Sequence, residues 1–294
     1  MQDTEDIKSE YVVKNQENSY PQALLQAIIR QGSGQVSQFR IASRQTSELA
    51  LVIPMLKNLE KGSLLLADDL YNSYLHFCLI LMQGCHIIVP GKRKKRYGVI
   101  RQISEKDQIV EVCKTNRPAY VTKEQWKKMP DKILLRRIEY TYPTKNGLET
   151  AILYTTILDE RITSAEITLK YSMRWHIEIC IREVKTIMDI NVLRSKTKEM
   201  LFKELLIALT AYNLVRKVIA KAAGKGGFSP QKDTCTVYEV RGIFPKFNSI
   251  GNTVFLDKRG RVLFKKSPGR YRVLRTQYKY GRTDGTNKKT SNPA

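Results

Sequence analysis

Hydrophobic and polar positions change rhythm several times along the chain. Residues 1–20 are polar and lead into no evident element, and short apolar runs follow at 23–29 and 35–42. Ser47 suits a helix N-cap, and Leu49, Val52, Ile53 and Leu56 behind it recur at helical spacing. Ser63-Leu-Leu-Leu-Ala67 is a continuous apolar run of strand length that ends in Asp68-Asp69. A helix is expected over 73–83, then a second strand over Cys85–Pro90. Apolar strand, helix and apolar strand predict a βαβ unit in a sheet covered on both faces.

The texture then changes. A basic run, Lys92 to Arg96, precedes alternating segments at 108–113, 133–142 and 149–158, and Asn146-Gly147 between the last two is a hairpin signal. This stretch predicts a small antiparallel β insertion. From Ser164 the spacing turns helical to about residue 190, and again over 197–223, closing near Gly224. The remainder is loop-rich, with twelve Lys or Arg from Phe255 onward against two acids, Asp257 and Asp284. The expected divisions are 1–90, the β-rich 91–163, the helical 164–225 and a basic 226–294.

Charge narrows the partners. Among 294 residues, 51 Lys and Arg against 28 Asp and Glu give a net charge of +23. Such an excess attracts polyanions and repels a second copy at low salt. Nucleic acid is the expected partner, because each neutralised phosphate releases a counterion. No apolar run is long enough to span a bilayer, and no charged-then-apolar leader opens the chain, so no membrane partner and a cytoplasmic location are expected. Five scattered cysteines read as reduced packing residues, and the three histidines do not stand at zinc spacing relative to them.

The chemistry gathers between Tyr171 and Lys185. Tyr171, Arg174, Glu178 and Lys185 stand at i, i+3, i+7 and i+14, which on one continuous helix is an arc of about 60°. Leu169, Met173, Ile177, Cys180 and Val184 form a separate apolar stripe expected to face the core. The helix would present an acid flanked by two cations and a phenol, able to ligate Mg²⁺ and hold phosphates. By spacing alone, an ordinary charged surface helix fits as well.

The spacing Y-x2-R-x3-E-x6-K, with Trp175 after Arg174, resembles the signature of the insertion-sequence-4 group of DDE transposases. Other segments are similar in the same order: Thr46 to Ala50, Leu66-Ala-Asp68-Asp-Leu-Tyr71-Asn-Ser-Tyr74, Leu193 to Lys196 and Ala211 to Arg216. The resemblance implies an RNase H-like α/β fold, a mixed sheet with flanking helices interrupted by a β insertion. It also implies DNA transposition, in which the ends of a transposon are bound and strands are cleaved and joined. Two Mg²⁺ ions held by three acids would do the chemistry, with Asp68 the second acid and Glu178 the third. Tyr171, Arg174 and Lys185 would grip phosphates.

Two departures from the pattern matter. Asp69 stands where the group has Arg. The first Asp, which opens "D-G-[ST]" ahead of a "P-D-T" element, finds no match, because Met1-Gln-Asp3-Thr4 resembles the later element. The expectation is a chain truncated at its N-terminus, without the first strand and its acid. Its two-metal site would be incomplete; Asp3 and Asp6 are available carboxylates, but nothing in their position brings them to the site. The alternative function is a catalytically dead remnant that binds DNA, forms a homodimer or pairs with an intact transposase. Trp126 is a candidate for stacking on an extruded base, with burial in the β unit the favoured reading.

Overall fold

A computed structural model describes residues 4–11, 21–91, 96–145, 147–186, 188–190, 192–225, 234–240, 254–256, 262–265 and 271–273. In chain order these give α1 (Glu5–Tyr11), β1 (Ala23–Arg30), β2 (Val36–Ser43), α2 (Glu48–Leu56), β3 (Leu64–Leu66), α3 (Tyr74–Met82) and β4 (His86–Pro90). The middle of the chain adds β5 (Gly98–Ser104), β6 (Asp107–Cys113), α4 (Lys123–Lys127), β7 (Lys132–Thr144) and β8 (Gly147–Thr155). Three helices follow, α5 (Ser164–Ser172), α6 (His176–Thr186) and α7 (Lys198–Lys225). Last come the strands β9 (Thr234–Val240), β10 (Val254–Leu256), β11 (Val262–Lys265) and β12 (Tyr271–Val273). Contacts divide the chain into Met1–Pro245 and Lys246–Ala294, the latter holding the antiparallel sheet β10-β11-β12.

The larger unit is built on one nine-stranded sheet in the order β2-β1-β9-β3-β4-β8-β7-β6-β5. The predicted βαβ unit is present: β3 and β4 pair in parallel, Leu65 against Ile87, with α3 as the crossover. The position between β1 and β3 is taken by β9, antiparallel to β1 and parallel to β3. A strand from far downstream therefore joins the antiparallel and parallel halves. Strands β5 to β8 do not form a sheet of their own; β8 pairs with β4 and carries the hydrogen bonding onward.

Both faces are packed. Alternation along β1 sends Ile28 to one side, against α2 and α3, and Leu25, Ala27 and Ile29 to the other, against α1, α6 and α7. That explains why β1 reads as an unbroken apolar run. A third cluster joins Leu66, Ile88, Ile138 and Leu153 to Ile167 of α5. Each fully buried Leu or Ile contributes roughly 1.5–3 kcal/mol. This mixed sheet with flanking helices is the RNase H-like architecture that the motifs imply.

One helix expected to be continuous is divided. A 3-10 turn at Met173–Trp175 separates α5 from α6, and its tighter winding rotates everything after it. As a result α5 packs through Ile167 on the third cluster, while α6 packs through Ile177, Cys180, Ile181 and Val184 on the second. Leu169, expected in the core stripe, is left 66% exposed.

Candidate functional site

Asp68 is set at the end of β3. Ala67 still donates to Ile88 O, one residue beyond the ladder. Asp68 then leaves the sheet as the N-cap of a 3-10 turn, Asp69–Tyr71, its Oδ1 accepting from Leu70 N at 2.9 Å. The turn is anchored from below by buried Gln26 of β1, whose Nε2 donates to Tyr71 Oη. Asp69 accepts from Asn72 Nδ2 at 3.3 Å.

Opposite stands the junction of α5 and α6. Ser47 is the N-cap of α2 as expected but makes no side-chain cap, whereas the Ser73 side chain caps α3 by accepting from His76 N. At the junction Gln31 Nε2 donates to Met173 O at 3.0 Å, tying the 3-10 turn to the end of β1. The Arg174 guanidinium lies 5.8 Å from the Tyr171 ring centroid and 5.5 Å from that of Trp175. It is 3.9 Å from Glu178, and its buried Nε has no hydrogen-bond partner. Burial pushes the Tyr171 phenol up to about 12, opposed by Arg174 and reinforced by the negative charge of Asp68. Lys185 is half-buried two turns further along α6, about 10 Å along its axis from Glu178.

A groove of about 1030 Å³ opens beside this cluster, between β7–β8 and α5. Its aromatic lining is Tyr140, Tyr142, Tyr171 and Trp175, and Arg174 also lines it. Trp175 is 63% exposed. Tyr140 and Tyr142 escaped the sequence reading, although the period-two alternation of 133–142 already assigned them one face. Trp126 lies elsewhere. It is half-buried against the first cluster, edge-on to Tyr74 and 5.5 Å from Lys114 Nζ.

Asp6 is used for structure, its Oδ2 accepting from Lys198 N at the start of α7. Asp3, the Lys92 to Lys95 part of the basic run and Asn146 lie outside the described residues. Among the described residues no three His, Cys, Asp or Glu side chains stand together as a metal site. With Asp68 capping a turn and Glu178 beside Arg174, the described donors do not fit a complete divalent-cation shell.

The sequence profile of the transposase DDE domain matches residues 4–214, and the chain belongs to that family, in its insertion-sequence-4 group. It is 28% identical over 209 residues to the transposase InsG for insertion sequence element IS4 of Escherichia coli (strain K12). That alignment covers 69% of this chain and 46% of the relative, so the chain spans about half the length of the curated relative it matches. Divalent-metal use is general in the family. Among the described residues no helix is long and apolar enough to cross a membrane.

Proposed function

We propose that the chain serves DNA transposition in the bacterial cytoplasm by holding the phosphate backbone of a transposon end, and that alone it grips DNA without cutting it. The observation that carries this reading is Arg174. Its guanidinium lies near two aromatic rings in the lining of an open groove, and the 15% of its side chain that stays exposed is the edge a phosphate oxygen would meet. Tyr171 and Lys185 extend the grip on either side, and the +23 charge supplies the field. The exposed Trp175 ring offers a stacking surface to a nucleotide in the groove.

Asp68 and Glu178 are the acids that we assign to strand cleavage and transfer. In such sites a pair of Mg²⁺ ions supplies the charge that stabilises attacking and leaving oxygens. Two carboxylates fill only part of the shell those ions need, which is why binding without cleavage is the reading for the chain alone. The test is a nicking assay on supercoiled plasmid with Mg²⁺ or Mn²⁺, run beside fluorescence anisotropy on duplex DNA. Binding without nicking is the expected result. Robust nicking that disappears in Glu178→Gln would overturn the binding-only reading, and absence of DNA binding would overturn the whole.

A further inference from the structure

The turn between β1 and β2 stands behind the junction of α5 and α6. Gly34 sits in it at φ 69°, and a Cβ there would run into the Arg216 guanidinium of α7. Arg216 Nε donates to Ser33 O at 2.8 Å. Asn213 brackets Val36, its Nδ2 donating to Val36 O and its Oδ1 accepting from Val36 N, both at 2.8 Å. Asn213 and Arg216 therefore brace the hairpin from the side of α7. On its other side, a pocket of about 160 Å³ separates the turn from the start of α6, with Gly32, Gly34, His176 and Ile177 in its lining. Gln31 spans that gap. Its Nε2 donates to Met173 O at 3.0 Å and lies 3.4 Å from His176 Nδ1, so one amide touches both ends of the 3-10 turn.

We propose that Gln31 is a positioning residue for the phosphate grip, because its amide holds the winding of the turn that carries Arg174. A side-chain donor entering the carbonyl ladder is one of the few causes of a sharp change in a helix. Here it falls on Met173 O, and Arg174 and Trp175 are the next two residues of the turn. The tighter winding turns α6 about its axis relative to α5, and Glu178 with it relative to Tyr171. An unbraced loop would follow the helix; a hairpin clamped to α7 at Ser33 and Val36 gives the amide a fixed base. Gln31 lines the small pocket and not the groove, so it acts through Arg174 and not on DNA. The inference rests on the reading of Arg174 as the residue that holds phosphate.

Trp175 reports the turn without DNA. In a Trp126→Phe background it is the remaining tryptophan of the full chain, and the Arg174 guanidinium lies 5.5 Å from its ring. Gln31→Met keeps the length of the side chain and removes the donor. It is expected to shift Trp175 emission and its quenching by acrylamide at unchanged far-UV circular dichroism. Gln31→Glu sets an acceptor against the Met173 carbonyl and should shift the emission further. Gln31→Met should also weaken duplex binding about two- to tenfold, the scale of one hydrogen bond. In an Arg174→Ala background the same change should cost less than about twofold, because the two residues act as a unit. Unchanged Trp175 emission in both Gln31 variants overturns the proposal, whatever happens to DNA binding. So does a loss of affinity from Gln31→Met that persists in full on top of Arg174→Ala. Should Arg174→Ala alone leave DNA binding intact, the phosphate reading fails, while a shifted Trp175 emission still supports the hold of Gln31 on the turn.

Discussion

Arg174 reaches Glu178 across one helical turn at 3.9 Å, yet the acid keeps 42% of its side chain open to solvent while the arginine keeps 15%. The arginine is held in place and the acid is not. In the absence of DNA the carboxylate partly neutralises the group assigned to phosphate.

Removing that negative charge should therefore strengthen DNA binding. Glu178→Gln is expected to tighten binding about two- to fivefold, the scale of a half-exposed ion pair. Arg174→Ala is expected to weaken it about tenfold or more and to reduce the slope of log K against log salt by about 1. Arg174→Lys should resemble alanine more than arginine, because a lysine loses the planar fork that meets a phosphate bidentately beside Tyr171 and Trp175. Anisotropy titrations at several salt concentrations read all three. Equal affinities across the set would remove Arg174 from the interface.

The loop that delivers α5 to the site depends on a buried ion pair. Arg136 of β7 is 1% exposed, and its Nε and Nη2 hold both Asp107 oxygens at 2.9 and 2.6 Å. Its Nη1 donates to the carbonyls of Asp159 and Ile162, just ahead of the Thr163 cap of α5. Arg136→Met leaves Asp107 charged and unpaired, with an expected loss of about 3–5 kcal/mol. Arg136→Met with Asp107→Leu should recover much of it. Urea denaturation of the three chains measures both changes, and additive losses would mean that the pair is not coupled.

Much of this was legible in the residues. The apolar runs gave β1, β3 and β4, and the alternation gave β6, β7 and β8, because strand burial writes directly into hydrophobic period. The spacing of Tyr171, Arg174 and Glu178 kept one neighbourhood together, since those residues sit within two turns on either side of the 3-10 turn. Leu169 does not, because a change of winding is set by what the two helices pack against. β9 was invisible for a different reason. Thr234 to Val240 alternates weakly and lies in a basic, loop-rich region, and its place in the sheet is decided by the open edges of β1 and β3. Local pattern carries no trace of that pairing.

That placement has a direct consequence. Thr236 pairs with Ile29 on one side and Leu66 on the other, in the middle of the sheet. Proline there deletes a backbone donor where a strand is paired on both edges, a position that central strands exclude. Thr236→Pro should lower the thermal midpoint by several degrees or abolish cooperative unfolding. Leu263 is likewise paired on both edges, with Phe255 and Val273, but in the sheet of the other unit. Leu263→Pro should therefore leave the midpoint of the larger unit unchanged. A differential scanning calorimetry trace insensitive to Thr236→Pro would mean that the sheet does not need β9.

Acid should unfold this protein through His76. The imidazole is fully buried in α3, with Nδ1 2.6 Å from Ser73 Oγ, Nε2 3.4 Å from Leu49 O, and the Tyr71 ring edge-on at 5.6 Å. Burial drives it down from 6.5 to about 4, against the smaller opposing effect of the Leu49 carbonyl. In the unfolded chain the ring takes up its proton near 6.5, in the folded chain only near 4. Between those values the unfolded state binds more protons, so this contribution to stability is whole above about 6.5 and shrinks as the pH falls to about 4. The full loss is on the order of 3 kcal/mol. Carboxylates titrate in the same window, so the measurement is a difference: urea midpoints from about pH 4 to 7 for the parent and for His76→Gln, which keeps polar atoms but does not titrate. The parent should lose stability more steeply than the variant on acidification, with the two curves parallel above about pH 6.5. Parallel curves throughout would show that the ring takes up its proton equally in both states and is not held buried in the fold.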